Sequence, residues 1–187
     1  MAILAAKYLE ARVIAASKKL IIGLITILLV SCAQGYRVDL EAITSAEIAY
    51  LSSQGEMVFS SGQPTQEQLG VLADAGIKHV ISLRTPGEID WDEGALVQSN
   101  GMEFHSLPVS GRTGVTPGNA ESLEQLLARL DGQPVLVHCG TSNRVGALKA
   151  VTARETRGAS IEDALAVGRQ WGLTGMEERV RGILSTN

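Results

Sequence analysis

The sequence is poor in aromatic residues and carries no excess of positive charge. Aromatic side chains make up 4% of the 187 residues, so aliphatic packing must dominate any core. The chain has 16 basic and 20 acidic residues, which gives a net charge of −4. Residues 1–31 hold four of the basic residues and one acidic residue, so the remainder is more acidic, at −7. This balance argues against nucleic acid as a partner, because phosphate contacts require clustered lysine and arginine.

Cysteine and histidine are also scarce, with two and three residues respectively. A disulfide between Cys32 and Cys139 is possible by count alone, but each cysteine lies in a motif that explains it separately. His79 and His105 alternate within predicted strands and are interpreted as structural. Because no spacing typical of metal ligands occurs, we predict no metal and no other cofactor.

The longest uncharged apolar run covers residues 20–30 and follows two lysines. A membrane-spanning helix needs about 20 apolar residues, so this run has instead the length of a signal-peptide core. Its end, Leu-Val-Ser-Cys at 29–32, resembles the lipobox of bacterial lipoproteins. The resemblance implies cleavage before Cys32, lipid attachment to Cys32, and an outer-membrane lipoprotein that faces the periplasm. The alternatives are an ordinary secretory signal and a buried apolar helix.

These patterns divide the chain into three parts. Residues 1–31 are predicted to be a lipoprotein-type signal peptide. Residues 32–54 are predicted to be the lipidated cysteine followed by a tether, with a short helix over 44–52. Residues 55–187 have the length of one ordinary domain and are predicted to form it.

Within that domain, strand and helix patterns alternate from residue 57 to residue 157. Strands are predicted at 57–59, 79–83, 102–109 and 135–137, and helices at 65–75, 123–130, 143–157, 161–172 and 175–185. Such alternation is typical of an α/β fold with a mainly parallel sheet and helices on both faces. Ligands in these folds bind at the carboxyl ends of the strands.

The segment 134–148 places a reactive side chain at such a strand end. A short apolar run leads into a tight loop of small residues, and good helix formers follow. The free N–H groups and the dipole at the start of a helix bind anions and favour the thiolate form of a cysteine. Cys139 opens the loop, and Arg144 closes it with a planar fork of donors that suits an oxyanion. A nucleophile and an anion-binding site therefore fall within six residues.

Four segments taken together resemble a known family: 61–65, 80–88, 107–109 and 137–148. They are similar to the phosphatase-like domain of the beta-lactamase hydrolase-like family, within the cysteine-dependent, dual-specificity-type tyrosine phosphatases. The similarity runs from about residue 55 to the end of the sequence and includes the order and spacing of the elements. It implies a cysteine phosphatase-like fold.

The resemblance also implies roles for the loop residues. Cys139 is expected to be the nucleophile and to form a phosphocysteine intermediate. Arg144 is expected to bind the phosphoryl oxygens together with the backbone N–H groups of Gly140, Thr141, Ser142 and Asn143. His138 is expected to support the thiolate by hydrogen bonding to the loop, although a core histidine at a strand end would look the same. The substrate would be a small anionic or phosphorylated compound.

Three features depart from the family pattern. Four residues separate the cysteine from the arginine, where the tyrosine phosphatases have five. Val145 stands where a serine or threonine usually assists the leaving thiolate. No Asp or Glu lies between Glu103 and Glu121, where the general acid of the family is expected. An alkoxide leaving group needs a proton donor, whereas an aryl leaving group needs less help.

An acidic loop upstream supplies three candidate general acids, Glu88, Asp90 and Asp92. The alternative interpretation is that these carboxylates are solvated loop charges. Arg84 follows a strand at the same edge of the sheet as Cys139. It could add positive charge to the anion site, but we interpret it as the salt-bridge partner of Glu88.

Two other functions remain open on the sequence alone. Rhodanese-type sulfurtransferases also have a six-residue loop that starts with cysteine and often ends with arginine, and they carry a single sulfur atom on that cysteine. The loop length therefore favours sulfur transfer through a Cys139 persulfide, whereas the flanking segments favour phosphate hydrolysis. A non-catalytic domain that only binds an anion is the third possibility, because the usual acid and hydroxyl are missing.

Overall fold

Five strands form a single sheet at the centre of the domain. They are β1 (Ser52–Ser53), β2 (Val58–Ser61), β3 (His79–Ser82), β4 (Glu103–Ser106) and β5 (Val135–His138). The computed structural model describes residues 35–111 and 113–186. The strand order is β1-β2-β5-β3-β4, and every pair is parallel except β1 with β2. The predicted α/β fold with a mainly parallel sheet is confirmed.

Seven helices surround this sheet in the part of the chain that is described. They are α1 (Leu40–Ser45), α2 (Gln66–Asp74), α3 (Glu93–Ser99), α4 (Pro117–Arg129), α5 (Asn143–Arg157), α6 (Ile161–Gln170) and α7 (Glu177–Thr186). Helix α2 begins with a capping box, in which Thr65 and Gln68 exchange side-chain and backbone hydrogen bonds. The helix predicted over 143–157 is found with the same bounds.

The central strand β5 shows how the helices divide between the two faces of the sheet. Val135 and Val137 pack with α4, α5, α6 and α7 on one face, whereas Leu136 packs with α1, α2 and α3 on the other. Successive side chains of a strand point to opposite faces, so a continuous apolar run indicates a strand that is buried on both sides. All three residues are less than 2% exposed.

The segment before β1 differs from its prediction. The compact unit begins at Tyr36, so residues 36–54 are part of the domain and not a tether. The helix here is α1, capped by the Asp39 side chain, and it ends at Ser45. Ile43 and Ile48 are buried against the sheet layer, which ties the segment to the core. Cys32 and the predicted signal peptide lie outside the described residues. Among those described, no helix is both long and apolar enough to cross a bilayer.

The strand register brings three polar residues to one edge of the sheet. His138 at the end of β5 pairs with Ser61 of β2 and with Ser82 of β3. Because these strands are parallel, their carboxyl ends meet at the same edge. The segments that follow them, including Cys139 and the Arg84 loop, therefore converge there.

Candidate active site

Cys139 lies directly after β5 and is 1% exposed. Its N–H donates to the carbonyl of Ser61 over 3.4 Å, which extends the pairing with β2 by one residue. The Gln63 N–H donates to the Gly140 carbonyl over 3.3 Å. These two bonds fix the first half of the loop against the end of β2.

The loop then reverses into α5 at Ser142, which has a φ of 59° in the left-handed region. Its hydroxyl donates to the Trp171 carbonyl over 2.9 Å and does not cap the helix. A Cβ on Gly172 would lie only 2.5 Å from Ser142 Cβ, so glycine is required for this close approach. The first N–H groups of an α-helix have no partner within the helix, so those at the start of α5 can contact an anion bound at the loop.

Asn143, the first residue of α5, attaches the second half of the loop to the segment that precedes α7. Its Oδ1 accepts the backbone N–H groups of Thr174 over 2.8 Å and Met176 over 3.1 Å, which lie just before α7. The side chains of Ser142 and Asn143 thus hold the loop in place. The anion-binding role that the resemblance implies for the backbone N–H groups of the loop stays a prediction.

The Arg144 guanidinium is held by a carboxylate and by two backbone carbonyls. Nη1 donates to Glu88 Oε1 over 2.7 Å, and Nη2 donates to Glu88 Oε2 over 2.6 Å, which is a bidentate pair. Nη1 also donates to the carbonyls of Leu83 over 3.1 Å and Val109 over 2.9 Å. Arg144 is only 8% exposed. Its orientation is fixed by Glu88 and by the two carbonyls, which follow the ends of β3 and β4.

The ion pair changes the acid–base properties of both partners. Hydrogen bonds from Arg144 are the main reason that the pKa of Glu88 falls to about 2. Burial alone would lower the pKa of Arg144, but Glu88 and the Cys139 sulfur outweigh it and raise that pKa above its ordinary value. An ionised carboxylate cannot donate a proton, so Glu88 is reassigned from candidate general acid to partner of Arg144.

The two other candidate acids lie further along the same loop. Asp92 is the N-cap of α3, and its Oδ1 accepts the Ala95 N–H over 2.9 Å. Asp90 is exposed. Trp91 lies between them and lines a cavity of about 240 Å³ together with Arg84 and Pro86. A general-acid role for Asp90 or Asp92 stays a prediction.

Arg84 contributes a second guanidinium to the site. Its Nε lies 3.2 Å from Glu88 Oε2, so the interpretation as a salt-bridge partner of Glu88 is confirmed. A Cβ built on Gly140 would be 3.5 Å from Arg84 Nη1 and 3.8 Å from Arg144 Nη2. Both cations therefore lie next to the loop, and Glu88 is the carboxylate between them. The sequence alone left open whether Arg84 also adds positive charge to the anion site and favoured the salt bridge with Glu88.

His138 and Glu93 form a buried contact that the sequence analysis missed. His138 is fully buried, and its Nε2 lies 3.2 Å from Glu93 Oε1 at an ion-pair distance without hydrogen-bond alignment. Gln63 donates to the same oxygen over 2.6 Å. Burial alone would raise the pKa of Glu93, but His138 and Gln63 together lower it. Neither ring nitrogen hydrogen-bonds to the loop, so the role expected for His138 is replaced by this contact.

The domain is similar to known phosphatase domains in sequence and in fold. A family model described as "Swiss Army Knife protein, DSP-PTPase phosphatase domain" matches residues 49–152. The chain belongs to this PTP-SAK family of phosphatase domains. The resemblance that the sequence motifs indicated is thus confirmed.

Curated relatives and solved structures agree with this assignment. The chain is 29% identical over 102 residues to a beta-lactamase hydrolase-like protein of Xylella fastidiosa, a match that covers 52% of this chain and 23% of the relative. The chain therefore spans about a quarter of the length of the curated relatives it matches. A DUF442 protein from Shewanella putrefaciens CN-32 has a TM-score of 0.60 at 22% identity, covering 79% of this chain and 97% of that chain.

Two further structures share the fold. TpbA of P. aeruginosa has a TM-score of 0.57 at 21% identity and covers 83% of this chain and 92% of its own. The catalytic core of SIW14 from S. cerevisiae, described as a PP-IP phosphatase, has a TM-score of 0.59 at 17% identity, with coverages of 74% and 85%. At these identities the likeness shows the shared fold alone.

Proposed function

We propose that the domain hydrolyses a phosphate ester, with Cys139 as the nucleophile and Arg144 as the oxyanion clamp. The observation that carries the proposal is the setting of Cys139. It lies at the carboxyl end of the central strand, at the N-terminus of α5, beside the guanidinium that Glu88 holds. The helix N-terminus and two guanidinium groups favour a dianion over a neutral ligand.

The reaction follows from these positions in two steps. The Cys139 thiolate attacks phosphorus, so a sulfur–phosphorus bond forms and the bond from phosphorus to the ester oxygen breaks. The leaving oxygen takes a proton from water or from an acid. Water then attacks the phosphocysteine, which releases inorganic phosphate and restores the thiolate. Arg144 and the loop N–H groups stabilise the negative charge on the phosphoryl oxygens in both steps.

The adduct on Cys139 distinguishes the proposed function from its alternatives. The purified chain is mixed with an aryl phosphate, quenched in acid and digested, and the peptide that contains Cys139 is analysed by mass spectrometry. We expect a gain of one phosphoryl group, which is absent when Cys139 is replaced by serine. An aryl ester is chosen because its leaving group needs little protonation.

Sulfur transfer is the second candidate, and the four-residue spacing between Cys139 and Arg144 is the observation that favours it. A parallel sample treated with thiosulfate tests this reading. A gain of one sulfur atom on Cys139, with no phosphoryl adduct, would replace phosphatase chemistry by a persulfide mechanism. The absence of both adducts would leave a domain that binds an anion without turnover.

We also propose that Cys32 anchors the domain to the cell envelope through a lipid, facing the periplasm. The support is the apolar run and the Leu-Val-Ser-Cys sequence at 29–32. In bacterial cells fed with labelled palmitate, we expect label on the chain and on a Cys139→Ala control, and none on Cys32→Ala. Label retained by Cys32→Ala would contradict the lipobox interpretation.

A further inference from the structure

Three potential metal ligands meet on one face of the sheet, away from the Cys139 loop. They are His79 on β3, and Glu103 and His105 on β4. In the parallel register His79 pairs with Glu103, and His105 lies two residues further along β4. Side chains two residues apart share a face of a strand, so all three project to the same side. His79 begins its strand, whereas Cys139 follows the end of β5, so the cluster is separate from the candidate active site.

The ring of His79 contacts Gln133 through one nitrogen and His105 through the other. Its Nε2 lies 2.9 Å from Gln133 Oε1, which also accepts the Tyr36 hydroxyl over 3.1 Å. Because this oxygen can only accept, a neutral His79 ring that hydrogen-bonds to it carries its proton on Nε2 and its lone pair on Nδ1. Metal-bound histidines typically donate their second N–H to such an acceptor, which fixes tautomer and orientation.

The spacing of the donor atoms fits a small divalent ion. His79 Nδ1 lies 3.2 Å from His105 Nε2, and Glu103 oxygens lie 3.5 Å from His79 Nδ1 and 3.7 Å from His105 Nε2. Bonds of 2.0–2.1 Å in a tetrahedral zinc site place neighbouring ligand atoms about 3.4 Å apart. The separations of the three donors are therefore close to those of a tetrahedral zinc site.

The charges near the cluster and the exposure of its side chains affect how tightly it would bind a metal ion. The His79 side chain is 9% exposed and His105 is 16% exposed, whereas Glu103 is 65% exposed. Glu103 offsets part of the charge of a dication. Arg129 on α4 acts in the opposite direction, because its positive charge reaches His105.

We propose that His79, Glu103 and His105 form a binding site for a divalent transition metal of the zinc type. Two imidazoles and one carboxylate are a typical donor set for such ions. The ion would join β3 to β4 and so stabilise the edge of the sheet. This differs from the sequence prediction of no metal, because only the strand register brings the two histidines together.

The test uses the full chain without a histidine tag, with both cysteines replaced by serine so that no thiol competes for metal. Co²⁺ is the spectroscopic probe and Zn²⁺ the competitor. We expect visible ligand-field bands of four-coordinate cobalt that zinc abolishes, and a higher thermal unfolding midpoint with zinc. His105→Gln and Glu103→Gln should lose both effects, whereas Glu121→Gln, an exposed carboxylate on α4, should keep them.

Two further variants test the arrangement around the ligands. Gln133→Ala should weaken zinc binding by about 10–100-fold, because the outer partner of His79 is lost. Arg129→Gln should tighten binding, because it removes a cation next to the site. The proposal is overturned if no cobalt bands form in the double-serine chain, or if His105→Gln binds zinc as tightly as its parent. Either result would mean that His79 and His105 only hydrogen-bond to each other.

Discussion

Replacing Cys139 by serine should reduce phosphate release from an aryl phosphate by more than about a thousandfold. A serine hydroxyl is a weak nucleophile unless a base removes its proton. The nearest histidine, His138, contacts Glu93 through its Nε2 and makes no hydrogen bond to the loop. Serine therefore fills the position of cysteine without an activating partner.

The measurement is phosphate release at saturating substrate by wild type and variant, with circular dichroism to confirm that the variant is folded. Cys32→Ser is the matched control, because it replaces the other cysteine of the chain with the same residue. We expect that control to release phosphate at the wild-type rate. Substantial release by Cys139→Ser would mean that another group performs the attack, and the proposed mechanism would have to be abandoned.

The loop that contains Cys139 could be predicted from sequence because its determinants are local. An apolar run, a set of small residues and a run of helix formers each specify the backbone within a few positions. The bounds of α5 were predicted for the same reason. The parallel sheet followed from the alternation of elements, which restricts the possible topologies strongly.

The partners of the functional side chains could not be predicted in this way. Glu88 and Arg144 are 56 residues apart, and Glu93 reaches His138 only because α3 packs beside the end of β5. Each pairing depends on strand order and register, which the local pattern leaves open. The helix predicted over 44–52 is found at Leu40–Ser45, where Ile43 packs with buried residues that are distant in the sequence.

Substitutions in the Glu88–Arg144 pair should also lower the phosphatase activity strongly. Arg144→Lys keeps the charge but loses the planar fork that contacts Glu88 and an oxyanion together, so kcat/KM for an aryl phosphate should fall by about 100-fold or more. Glu88→Gln leaves the fork without its anionic partner and should lower kcat/KM by about tenfold. The double variant should be little worse than Arg144→Lys alone, because both changes disturb one unit.

The same pair predicts a pH dependence of stability. The pKa of the Glu88 carboxyl is about 2 in the folded chain, against an ordinary value of 4.5. A carboxyl with a lowered pKa stabilises the fold fully above its unfolded value, and that contribution is lost as the pH falls towards the folded value. At pH 7 the difference in free energy of unfolding between wild type and Glu88→Gln should be about 2 kcal/mol, after allowance for the part of the carboxylate that faces solvent.

Urea unfolding at several pH values measures this difference. It should be constant from pH 7 to about pH 5 and should shrink between the two pKa values, because protonation removes the charge that Arg144 pairs with. Glu162→Gln is the matched control, since its ion pair with Arg181 is exposed and should change stability little at any pH. If the free energy of unfolding of Glu88→Gln stayed below that of the wild type by the same amount down to pH 2.5, Glu88 would act through packing and not through its charge. Arg144 would then be held chiefly by the carbonyls of Leu83 and Val109.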